Sequence, residues 1–146
     1  MSIQQKQDKI VRAFQALGDW PERYKYIIEL GRKLDPIDEE YKVEENLVRG
    51  CQSQVWLIAD MDGNQVIFKA DSDAAITKGL VALLLKFYSG EDPDTILTAN
   101  PDFIDEIGMR EHLSPTRSNG LSSMVKQMKI YAMAFKSKQE QAEKAS

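Results

Sequence analysis

Two β-prone runs, Val55-Trp56-Leu57-Ile58 and Val66-Ile67-Phe68, flank Met61-Asp62-Gly63-Asn64, which carries an Asp-Gly turn dipeptide. This pattern predicts an antiparallel hairpin. Two strands alone are marginal in water, so their apolar face needs a cover. The apolar residues on either side recur at helical spacing, so the cover is helical. Helices, then strands, then helices indicate a two-layer α+β domain, a small antiparallel sheet packed against helices.

Ile3, Ile10, Val11, Phe14 and Leu17 share one face of a first helix, which Gly18 can end. Asp19-Trp20-Pro21-Glu22 supplies an acidic cap, an early proline and a glutamate in capping-box position for a second. Tyr24, Ile27, Ile28 and Leu34 continue that helix, and Asp35-Pro36 stops it. Residues 37–45 are mostly acidic and polar, which predicts an exposed connection, and 46–50 read as a short strand. Ser72 is placed as the cap of a helix over 73–88. That helix is apolar on several sides and is expected to be central, under the sheet. Ser89-Gly90 ends it. Asp92-Pro93 and Asn100-Pro101 look like starts of short helices. Leu121, Met124, Val125, Met128, Ala132 and Phe135 mark a last amphipathic helix. One domain is expected over 1–146, with a polar tail that frays after about 137.

Hydrophobic residues make up 42% of the 146 and charged residues 29%, the balance of a globular rather than a disordered chain. The formal net charge of −4 argues against nucleic acid as the main partner, because no basic excess is present to displace phosphate counterions. The longest apolar run, Leu80 to Leu85, is too short to span a bilayer, so no membrane association is expected. The first residues carry no apolar secretory stretch. With one cysteine in the whole chain, they suggest a reducing, cytoplasmic setting.

That cysteine stands in Gly50-Cys51-Gln52-Ser53-Gln54-Val55-Trp56. One thiol forms no internal disulfide and holds neither a Cys-rich zinc site nor an iron–sulfur cluster by itself. It is either a buried apolar filler or a nucleophile that exchanges sulfur with another molecule. Gly50 and the polar Gln52-Ser53-Gln54 favour a pliable, exposed loop. A useful thiolate also needs donors. The candidates are local amides and the stretch His112-Leu113-Ser114-Pro115-Thr116-Arg117-Ser118, in which His112 could act as a base and Arg117 supply positive charge. No glycine-rich phosphate loop, nucleophile-elbow serine or cluster of metal ligands is present.

The Cys51 loop resembles the active loop of the SufE family of sulfur-acceptor (cysteine desulfuration) proteins. Three further blocks match in order: Trp20, Tyr24 and Tyr26 to Gly31; Asp71 to Leu80; and His112 to Leu121. The departures lie in the acidic connection, the hairpin tip and the last helix. The resemblance implies a SufE/IscU-like α+β fold. It also implies a sulfur carrier for iron–sulfur cluster assembly with no cofactor or metal of its own. Cys51 would take persulfide sulfur from a pyridoxal-phosphate-dependent (SufS-like) cysteine desulfurase, stimulate it, and pass the sulfur to a SufBCD-like scaffold. Gly50, Gln52, His112 and Arg117 would support the loop or the docked partner. A homodimer is compatible with the sequence. Two other readings stay open: a thiol hydrolase or transferase using Cys51 with His112, and a non-catalytic interaction module. A scaffold of the IscU type needs several ligating cysteines, and this chain has one.

Overall fold

The computed structural model describes residues 1–145. Helix α1 spans Ile3–Gln15 and α2 Trp20–Arg32. Short 3-10 turns at Glu39–Tyr41 and Glu44–Asn46 lead to the strands β1, Val55–Asp62, and β2, Gln65–Ser72. Helices α3 (Ala75–Tyr88), α4 (Pro93–Thr98), α5 (Phe103–Glu106) and α6 (Pro115–Ala145) follow, with a 3-10 turn at Arg110–His112 before the last. No helix among the described residues is long and apolar enough to cross a membrane.

The hairpin forms where the sequence places it. β1 and β2 pair antiparallel from Val55↔Ser72 to Asp62↔Gln65, closed by Gly63, whose φ is +62°. Alternation sets Val55, Leu57, Val66, Phe68 and Ala70 into the core. Helix α3 lies against this face and is buried on most sides, with Leu80, Leu83, Leu84 and Phe87 nearly inaccessible. It is the central helix expected from its all-round apolar sequence. Its other neighbour is α2, and the two backbones meet at Gly31 and Gly79. A Cβ on Gly79 would stand 2.0 Å from the Ile27 carbonyl oxygen, so the approach requires glycine.

The cap of α2 follows its sequence signal, and α1 has a capping box of its own. The Ser2 and Gln5 side chains cap each other's backbone, and the Asp19 carboxylate accepts from the Glu22 N–H, with Pro21 in the first turn. Three helix starts differ from expectation. Ser72 does not cap α3, because residues 71 and 72 complete the ladder with β1. Its Oγ instead accepts from the Ala74 N–H, and the helix begins at Ala75. Helix α5 starts at Phe103, beyond Asn100-Pro101, and α6 starts at Pro115, six residues before the apolar stripe (121 − 115). At its other end α6 runs on to Ala145, past the point where fraying is expected. There Lys136 pairs with Asp94 at 2.8 Å and Gln139 bonds Asn64 at 3.0 Å.

Residues 46–50 do not form a strand. They contribute one bridge, Leu47↔Trp56, and one bond from the Val48 N–H to Val55 O at 2.8 Å. The acidic connection before them is exposed over most of its length, as expected, and is anchored at two points. Ile37 is buried, and Lys42 reaches Asp71 at 3.2 Å, beside the Lys78–Asp71 pair at 3.1 Å. Burial pushes the Asp71 carboxyl up. The Ser72 N–H and the Lys78 and Lys42 ammonium groups outweigh it and hold the carboxyl below its ordinary value. This carboxylate clasps the connection, the hairpin and α3 together at one point.

Candidate thiol site

Gly50 turns the chain just before Cys51. Its φ of +91° belongs to glycine, and a Cβ there would lie 2.5 Å from Ser123 Oγ on α6. The far end of the loop is held by a reciprocal pair. The Gln54 N–H donates to Asp73 Oδ1 at 3.0 Å, and the Asp73 N–H donates to Gln54 O at 3.3 Å. Between these anchors Gln52 is exposed and Cys51 half-buried.

The Cys51 thiol donates to the Gly120 carbonyl oxygen at 3.5 Å. Gly120 sits within α6, and a Cβ on it would come 3.5 Å from Sγ, in ordinary contact with the sulfur, so the thiol packs directly against this turn of the helix. Cys51 lines a pocket of about 210 Å3 together with Gln52, Leu80, Thr116, Arg117 and Met124. The pocket adjoins the first turns of α6, where the Ser114 hydroxyl accepts from the Arg117 N–H at 3.2 Å. A helix N-terminus carries partial positive charge, and Arg117 adds a full one. Burial pushes the Cys51 thiol up from its ordinary value. A carbonyl acceptor acts in the same direction, because only the protonated thiol can donate to it.

Cys51, Gln52 and Arg117 thus meet at one pocket, and Gly50 sets the turn leading in. His112 does not line it. Its ring stacks on Trp20 (centroids 4.1 Å apart, planes 15° apart), its Nδ1 lies 3.0 Å from Gly108 O, and its carbonyl accepts from the Tyr24 hydroxyl. These contacts tie the start of α2 to the turn before α6. The Cys51–His112 pair that a thiol hydrolase would use is therefore not assembled. Ser114 and Thr116 belong to the stretch singled out in the sequence, whereas Gly120 and Leu80 escaped it as site residues. A glycine inside the helical pattern at 120 is the one sequence signal for a close approach there. Among the described residues, no three His, Cys, Asp or Glu side chains converge as metal ligands.

The comparisons with known proteins agree with one another. The SufE family model, described as an Fe-S metabolism associated domain, matches residues 8–132. An uncharacterised SufE-like protein of Synechocystis sp. is 42% identical over 127 residues, 87% of this chain and 80% of that protein. SufE-like protein 1 (chloroplastic/mitochondrial) of Arabidopsis thaliana is 41% identical over 137 residues, which cover 93% of this chain but 37% of that longer protein. The solution structure of a hypothetical protein from Thermus thermophilus shares the fold, with a TM-score of 0.73 at 24% identity over 88% of this chain and 94% of that one. The match over most of the chain, with two relatives above 40% identity, makes this chain a member of the SufE family, whose domain is associated with iron–sulfur metabolism.

Proposed function

We propose that Cys51 is a sulfur acceptor, loaded by a pyridoxal-phosphate-dependent cysteine desulfurase and unloaded to an iron–sulfur cluster scaffold. The observation that carries this reading is a lone, half-buried thiol on a polar loop, facing a pocket that Arg117 lines. In the transfer, the Cys51 thiolate attacks the terminal sulfur of the donor's persulfide. A new S–S bond forms at Sγ, the donor's S–S bond breaks, and the donor leaves as a thiolate that takes up the proton Cys51 gave up. Nothing is oxidised or reduced overall. The absence of a second cysteine in the chain fits, since a neighbouring thiol would collapse the persulfide to a disulfide and release sulfide.

With its proton donated to Gly120, the thiol is in its protected state. Loss of the Gly120 contact and of the burial that goes with it, as the loop swings out towards a desulfurase, would lower the thiol's pKa and free it to attack. When the loop returns to its own pocket, Arg117 and the first turn of α6 favour the persulfide anion it carries. The test is cysteine turnover by a desulfurase, read as alanine formed. Adding this protein should raise the rate, Cys51→Ser should abolish the increase, and Arg117→Ala should reduce it with the circular dichroism unchanged. An unchanged increase with Cys51→Ser would leave an interaction module in which the thiol is inert.

A further inference from the structure

The two edges of the hairpin are treated differently. On β2 the outward backbone groups nearest the turn are covered: the Val66 N–H donates to Glu91 O, Val66 O accepts from the Gly90 N–H, and the Phe68 N–H donates to Ser89 Oγ. On β1, Val55 O accepts from the Val48 N–H and Leu57 O from the Tyr131 hydroxyl at 3.1 Å, so alternate residues from Val55 onward face away from β2. The next two in that series are Ala59 and Met61. Among the described residues nothing bonds their outward N–H and C=O groups. An uncovered edge is a template for another strand.

Beside this edge runs a groove of about 500 Å3, lined by Ile37, Tyr41, Ile58, Ala59, Asp60 and Tyr131. Tyr41 is 43% exposed. The Asp38 and Asp60 carboxylates border the groove and Asp62 continues the row along β1. None of the three has an ion pair among the described residues, and Lys69 is the one basic side chain on the lining. This charge argues against a second copy of the chain. In the antiparallel register that uses all the free groups, Ala59 faces Met61 and Asp60 stands opposite Asp60, a like-charge pair.

We propose that the free edge of β1 at Ala59 and Met61 takes up, by strand addition, an extended segment of a partner protein in which basic and apolar residues alternate. The basic residues meet Asp60 and Asp62 on the outer face, their methylene stems lying over Ile58 and Tyr41. The apolar residues on the other face meet Ala59, Met61 and the Tyr131 ring. The backbone supplies the hydrogen bonds and the alternation supplies the selectivity.

The probe is a blocked peptide of alternating lysine and valine, added to the full chain and read by amide hydrogen exchange. It should slow the Ala59 and Met61 amides severalfold, and an alternating glutamate–valine peptide should not. Ala59→Pro removes an outward N–H without touching the β1–β2 ladder, so it should abolish protection at Met61 while the circular dichroism stays native. Asp60→Asn with Asp62→Asn should weaken binding by roughly two- to fivefold per lost opposite-charge pair. No binding of the lysine peptide, equal binding of the glutamate peptide, or binding indifferent to these variants would overturn the proposal. So would peptide-free dimers that protect the same amides, which would assign the edge to a second copy.

Discussion

At Cys51 two effects hold the proton on sulfur: partial burial, and the Gly120 carbonyl that accepts from the thiol. A thiol whose folded pKa lies above its unfolded one contributes stability that is fully present below the unfolded value, ordinarily 9.0. That contribution is lost as pH rises through the higher folded value. Alkylation of the isolated protein should therefore be slow at neutral pH and rise with a midpoint above 9.0, falling to the ordinary value in denaturant. Gly50→Ala places a side chain in left-handed backbone, at roughly 1–3 kcal/mol, and should undock the loop and speed alkylation at neutral pH. A midpoint at or below 9.0 in the native protein would contradict this account of the resting thiol. The reach of the loop was legible in Gly50 and in Gln52 to Gln54, whose polarity kept them out of the core. The fate of His112 was not. Its partner Trp20 is 92 residues away (112 − 20), and a stacking contact across that distance leaves no mark in local spacing.

At the scale of elements, the legible features were those with local causes. The Asp-Gly turn, the Asp19 and Asp92 caps with their following prolines, and the all-round apolar run of α3 each state their structure within a few residues. The start of α3 was not so plain, because Ser72 is drawn into the β1 ladder. The start of α6 is a local cap and proline, Ser114-Pro115, which an apolar stripe beginning at Leu121 does not reveal. The α2–α3 contact is a tertiary fact, carried by two glycines that mid-helix propensity alone would disfavour. Gly79→Ala forces a Cβ against the Ile27 carbonyl and must part the helices. A loss of about 3 kcal/mol is expected, read as a lower denaturant midpoint, which is the upper range for overpacking. A stability equal to or above that of the parent would show that the helices are not in this close contact.

On the scale of the whole molecule, the hairpin is the organising element. Its first strand carries the Cys51 loop at one end and a free edge further along, and its buried face is closed by α3. The fold was legible because apolar period and turn chemistry agree along most of the chain. The chemistry was legible only in outline, since one thiol in a polar loop is consistent with several functions until its pocket is seen. The most direct test is the intact mass of the protein after incubation with a cysteine desulfurase and cysteine. The account predicts a gain of one sulfur atom, mapped to Cys51, removable by reductant and absent from Cys51→Ser. No gain, or the same gain in Cys51→Ser, would contradict it.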